Sequence, residues 1–223
     1  MLFILEGKLD MKHFSYFDFF KHAASTPLSN ILLNSQLALS DQENKEKSLK
    51  RILLSANYIK DLLDNHEKRN KELFLVNDAL VEIILLNQCF HQEVSYSKKL
   101  KQSNNIKLSG NKLLFQEVIN CLLNNAIEAY QLHSLEKIVL IKTQLQNNNL
   151  ELSVTDGGDG LTWFQQQLIG KKYYSLKDNH QGVGLFYAKK ILKNEFSAKI
   201  QFLSKKNQGS TILLRFPLDY SPK

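Results

Sequence analysis

Apolar residues in the first third of the chain recur at helical spacing. Phe17, Phe20, Ala24, Leu28, Ile31 and Leu32 fall every three or four residues, which predicts one helix over about 15–39, bent near Pro27 where no backbone amide is available to donate. A polar turn over 40–45 separates it from a second helix carrying Leu49, Ile52, Leu53, Ala56, Ile59, Leu62 and Leu63 at spacings close to a heptad seam. So short a turn predicts an antiparallel hairpin. One apolar stripe per helix stays wet unless a second copy covers it, so a four-helix dimer is expected. Residues 66–72 are charged and without periodicity, and read as a junction. The expected domains are a helical hairpin over 1–67 and a second domain over 73–218.

Beyond the junction the period changes. Residues 73–76 read as a strand, 78–89 as a helix and 94–96 as a short strand; 117–129 read as a helix with an apolar stripe and amides on its remaining face. Two strands, 137–144 and 150–156, are joined by Asn147-Asn148-Asn149. A short helix is expected over 163–169 and another over 186–192, opened by Gly182-Val183-Gly184-Leu185. The end reads as a hairpin, 198–203 and 209–217 around a polar turn.

Charge changes the picture only modestly. The 223 residues carry a formal net charge of +7, with lysines scattered as Lys98-Lys99-Leu100-Lys101, Lys171-Lys172 and Lys205-Lys206. A solvated surface accounts for most of that; an anionic nucleotide or an acidic protein partner are the sharper readings. No basic helix with interleaved aromatics and no zinc-finger or helix-turn-helix spacing occurs, so nucleic acid is not an expected partner. The apolar start, residues 1–5, stops at Glu6, and no later stretch is long enough to span a bilayer. Cys89 and Cys121 lie in apolar helical contexts without metal-ligand spacing, which points to buried thiols, no disulfide, and a reducing, cytoplasmic compartment.

The chemistry concentrates in Asp156-Gly157-Gly158-Asp159-Gly160, where an apolar strand runs into a carboxylate followed by glycines, a corner that lets a flat ligand approach closely. Gly182 and Gly184 open a helix whose N-terminal amides suit phosphate. In the first helix, His22 has a ring nitrogen that is nucleophilic near neutral pH, a use that requires it to face solvent. The amide-bearing helix, the Asp-x-Gly-x-Gly corner and the Gly-x-Gly helix start, in this order, resemble the nucleotide-binding domain of sensor histidine kinases and of their relatives among the gyrase, heat-shock chaperone and mismatch-repair ATPases. His22-Ala23-Ala24-Ser25-Thr26-Pro27-Leu28 resembles the histidine kinase phosphoacceptor box.

The resemblance implies an α+β fold: an antiparallel helical hairpin, a four-helix bundle in the dimer, followed by a two-layer α/β sandwich. It further implies ATP and Mg2+ as cofactors. Asn125 would supply an amide oxygen to the magnesium, Asp156 would accept from the adenine amino group, and Gly158 and Gly160 would leave room for the ring. Residues 171–181 resemble the lid, with Lys177 where a basic residue meets phosphate or is simply solvated; Gly182 and Gly184 approach the phosphates, and Thr211 resembles a strand hydroxyl near them. His22 would take the γ-phosphoryl group and pass it to an aspartate of a response-regulator receiver domain. Thr26 either helps to dephosphorylate that partner or bonds the preceding helical turn. Two positions depart from the family's usual text: Ala23 stands where an acid follows the histidine, and Cys121 where a further asparagine precedes Asn125 by one turn. A histidine phosphotransferase or receiver phosphatase with a degenerate nucleotide domain is the alternative, and an ATP-dependent clamp or scaffold is a second.

Overall fold

The chain divides into two compact units, residues 1–67 and 68–223, and the described residues of the first form two helices. The computed structural model describes residues 16–40, 45–67, 71–100, 106–130, 136–171, 174 and 184–218. Helix α1 (Tyr16–Ser40) contains Pro27, and α2 (Lys45–Glu67) returns along it. Small and polar residues line the buried side of the pair: Ala24, Asn34 and Ala38 from α1, Ser48, Ser55 and Tyr58 from α2. Arg51 Nη1 on α2 donates to Asn34 Oδ1 on α1 at 3.4 Å. Away from that side, Leu28, Leu32, Leu33, Leu37, Leu39, Leu49, Leu53 and Leu63 are 40–85 % exposed, the wet stripe expected of a single copy. Small residues let two helices close-pack, which turns the bulky ones outward. A fully buried leucine contributes about 1.5–3 kcal/mol, so this outer row strongly favours being covered.

The second unit runs β1 (Glu72–Leu75), α3 (Val76–Phe90), β2 (Val94–Leu100), β3 (Lys107–Gly110), α4 (Lys112–Glu128), β4 (Lys137–Gln146), β5 (Asn149–Asp156), α5 (Trp163–Leu168), α6 (Gly184–Phe196), β6 (Lys199–Ser204) and β7 (Ser210–Pro217). Five strands form one sheet in the order β2-β4-β5-β7-β6, and β1 pairs with β3 in a separate two-stranded sheet. Among the described residues β2 and β4 run parallel and the other pairs of this sheet are antiparallel; β4–β5 and β6–β7 are hairpins, whereas β5 and β7 pair across the helices between them. Between β4 and β5, Asn147 and Asn148 both adopt positive φ, 49° and 59°, the turn geometry whose twist matches an antiparallel ladder. Helices α3, α4 and α6 pack on the sheet, giving the two-layer α+β architecture.

Alternation along the strands sends Val139 and Ile141 of β4, Leu150, Leu152 and Val154 of β5, and Leu214 and Phe216 of β7 into the core. Phe74, Phe115, Phe196 and Phe216, one each from β1, α4, α6 and β7, meet at ring-centroid distances of 5.4–6.5 Å. This aromatic cluster ties the small sheet, both main helices and the large sheet into one core. Among the described residues, no helix is long and apolar enough to cross a membrane.

Candidate functional site

Helix α4 is set in place at its start. The Asn111 side chain caps it by accepting from the Leu114 amide at 3.1 Å, while Glu195 on α6 accepts the Asn111 amide at 3.0 Å. Its apolar face packs into the core. Its other face, read from sequence as bearing amides, is buried at Gln116, Glu117 and Asn120. Asn120 does not stand in for the asparagine missing at Cys121: its Oδ1 accepts from Asn87 Nδ2 at 2.6 Å, and Asn87 Oδ1 accepts from the Tyr96 hydroxyl at 2.9 Å. That chain ties α4 to α3 and β2. Burial, and then the Glu93 carboxylate, pushes the Tyr96 phenol well above its ordinary range, so it stays a donor.

Asn125, one turn after Cys121, lies on the more open side of α4. Its Nδ2 donates to the Cys121 carbonyl at 2.6 Å and approaches the Cys121 sulfur at 3.4 Å. With the nitrogen turned back toward the helix, the carboxamide presents Oδ1 on its opposite side, an oxygen acceptor of the kind a hard cation prefers. Next to it, Asn124 Oδ1 is buried without a hydrogen-bond partner among the described residues. Cys89 and Cys121 are both partly exposed, where buried thiols were expected. Cys121 lies off the apolar stripe of α4 by helical geometry, at 100° per residue, which accounts for the difference.

Glu117 was not singled out by the sequence, since a carboxylate on a helix's polar face ordinarily meets water. Here it is 6 % exposed, its Oε1 has no hydrogen-bond partner among the described residues, and burial pushes its pKa from 4.5 up to about 8. Unfolded, the group ionises near its ordinary value; folded, it keeps its proton, so stability falls as pH rises from 4.5 to about 8. Glu117→Gln keeps the shape and removes the titration. It is expected to recover on the order of a few kcal/mol at about pH 8 relative to about pH 5, checked by urea denaturation at both.

The glycine corner lies at the end of β5. Asp156, the last residue of that strand, is 8 % exposed, and its Oδ1 accepts from the Gly158 amide at 2.9 Å and the Ser210 amide at 3.2 Å. Two backbone donors hold the carboxylate in one orientation. Ser210, the first residue of β7, was not a sequence candidate, because it acts through its amide. Thr211, which was, shares a hydrogen bond with Thr155, Oγ1 to Oγ1 at 2.9 Å, one rung from Asp156.

The glycines have a second reason beyond room for a ligand. A Cβ on Gly158 would fall on the Ala129 carbonyl at the end of α4, and the Asp159 amide donates to that same oxygen at 3.0 Å. Gly160 (φ +60°) would place a Cβ on the Lys205 carbonyl, and Gly209 (φ +78°) on the Asp156 carbonyl. With the Asn207 amide donating to Asp159 O at 2.7 Å, the end of α4, the corner and the β6–β7 turn meet backbone to backbone. Side chains do not fit between them.

The structure therefore brings Asp156, Gly158, Gly160 and Thr211 together around one corner, with Asn125 on the adjoining helix. Gly184 is the first residue of α6. Lys177, Gly182 and the side chains of His22 and Thr26 lie outside the described residues, as does the expected lid apart from Lys171 and Tyr174. Chemically, the described part offers an oriented carboxylate able to accept from an amino group and an amide oxygen able to meet a cation.

Residues 110–220 match the family described as histidine kinase-, DNA gyrase B-, and HSP90-like ATPase. Over 208 residues the chain is 26 % identical to sporulation kinase B of Bacillus subtilis, covering 89 % of this chain and 48 % of that protein. It is 24 % identical to the signal transduction histidine-protein kinase ArlS of Staphylococcus haemolyticus over 214 residues, 87 % of this chain and 46 % of that one. The chain thus spans about half the length of these curated relatives. Among solved structures, the catalytic domain of the histidine kinase ThkA superposes with a TM-score of 0.59 at 19 % identity, covering 66 % of this chain and 95 % of that one. The histidine kinase AdeS of Acinetobacter baumannii gives 0.51 at 16 %, over 89 % and 98 %.

Proposed function

From the premise that residues 110–220 belong to the histidine kinase-, DNA gyrase B- and HSP90-like ATPase family, we propose that the chain is a two-component histidine kinase core. Such a domain binds ATP. In this reading Asp156 accepts from the adenine amino group, Asn125 Oδ1 contributes to holding Mg2+ among the phosphates, and Gly182 and Gly184 bring α6 to them. Magnesium neutralises phosphate charge; the chain's own residues bind and orient. A ring nitrogen of His22 would form the bond to the γ-phosphorus as the bond to the ADP oxygen breaks, the imidazole's proton passing to water. The phosphoryl group then moves to an aspartate of a receiver domain. Thr26, four residues after His22, would act on that second step.

The outer leucine row of the hairpin supports a homodimer through α1 and α2, and two domains, 1–67 and 73–218, divide the labour. The single observation that carries the reading is the Asp156 carboxylate, oriented by two amides at the end of β5 inside a domain of this family. Incubation of the chain with labelled Mg-ATP is expected to yield an acid-labile, alkali-stable label that His22→Gln removes. An unlabelled wild-type chain overturns the kinase reading. The rival, a phosphotransferase or receiver phosphatase with a degenerate nucleotide domain, is favoured by one observation, the partly exposed Cys121 beside Asn125. Absence of magnesium-dependent ATP binding would select it.

A further inference from the structure

One phenolic oxygen sits at the point where the sheet gives way to the glycine corner. The β4–β5 ladder is in register through Val139 and Asp156, so the next rung would pair Ile138 with Gly157. The Tyr130 hydroxyl stands in that rung. It accepts from the Gly157 amide at 2.8 Å and from the Ile138 amide at 3.2 Å, and donates to the Ile138 carbonyl at 2.6 Å. Three backbone groups that would otherwise zip together or meet water are held by one side chain. The chain can therefore leave β4 directly after Asp156 and turn toward Ala129. Gly157 is matched to this, since a Cβ there would lie 3.2 Å from the Tyr130 hydroxyl.

We propose that Tyr130 is a positioning residue of the nucleotide site, a wedge whose hydroxyl ends the β4–β5 ladder one residue past Asp156 and holds the glycine corner open for the purine. This rests on the reading of Asp156 as the purine contact. Its role is to set the corner that carries Asp156; it does not touch the phosphates.

The test uses the full chain and Tyr130→Phe, with three measurements. Calorimetric Kd for Mg-ATP is expected to rise about tenfold, the scale of one hydrogen-bonded node lost. The affinity for inorganic triphosphate, which has no purine, is expected to stay within about twofold. Without any nucleotide, exchange of the Gly157 amide, followed by NMR, is expected to accelerate about tenfold or more, because its acceptor is gone. An unchanged Kd for Mg-ATP, an equal loss for triphosphate, or an unchanged Gly157 exchange rate each overturns the proposal. If the wild-type chain binds no Mg-ATP, the nucleotide reading falls and takes the positioning role with it, and Gly157 exchange separately decides whether the wedge exists. If Tyr130→Phe does not fold, Gly157→Ala supplies the measurement: its methyl, 3.2 Å from the hydroxyl, is expected to displace the corner and weaken Mg-ATP binding about tenfold, again without loss of triphosphate affinity. Unaltered Mg-ATP binding in that variant also overturns the proposal.

Discussion

Asp156→Asn is expected to abolish measurable nucleotide binding, lowering affinity for Mg-ATP by about a hundredfold or more, while leaving the fold intact. The reason lies in the two amides at Oδ1. An asparagine keeps its oxygen on Gly158 N and Ser210 N, because those donors do not move. Its nitrogen must then take the other position, where the carboxylate carried its second oxygen. A donor meets the purine amino group in place of an acceptor, so the contact is repulsive as well as lost. Fluorescent-nucleotide titration of the variant, with a melting curve beside it, checks both halves. Retained binding, or binding lost together with the melt, sinks this account of the site. The same variant is expected to take no label from ATP.

Gly160→Ala is the largest expected stability effect. At φ +60° an alanine is strained by about 1 kcal/mol, and its Cβ would fall on the Lys205 carbonyl, with the Gly209 carbonyl 3.0 Å away. Neither neighbour is a side chain that can swing aside; both belong to the backbone of the β6–β7 turn. Overpacking of this kind adds about 1–3 kcal/mol, so the variant is expected to lose about 3 kcal/mol and roughly 10 °C in Tm. Thermal melts of the full chain check it. Gly158→Ala meets the Ala129 carbonyl in the same way, whereas alanine at a glycine short of contacts is ordinarily mild.

Much of the architecture is legible locally. Residues 49–63 repeat at close to a heptad, and 137–144 and 150–156 alternate around three asparagines. Each is decided within a few residues. The strand β3 is not legible, because Lys107–Gly110 is four residues long and is a strand only by pairing with β1. Nor is the length of β2. Its second half carries Lys98 and Lys99, which read as surface, and becomes strand by lying parallel to β4 at the edge of the sheet, where charged side chains are tolerated.

The candidate site divides along the same line. The sequence by itself determined that a carboxylate ends a strand at a glycine corner, that an amide follows one turn after Cys121, and that a glycine opens α6, since each is a matter of residue type and spacing along one element. Tertiary structure alone decided which atoms those groups face. Strand order brings Ser210 to Asp156 across 54 positions, and the packing of the end of α4 on the sheet brings Tyr130 to Gly157 across 27. Within the second unit, Asn120 is tied to Asn87 of α3 and Glu117 is shut away from water, although both lie on a polar-looking face of α4. Within the hairpin, the fold alone showed that Ala24, Asn34, Ala38, Ser48 and Ser55 form the buried side. Burial and hydrogen-bond partnership are properties of neighbours in space, and those neighbours are chosen by the fold as a whole.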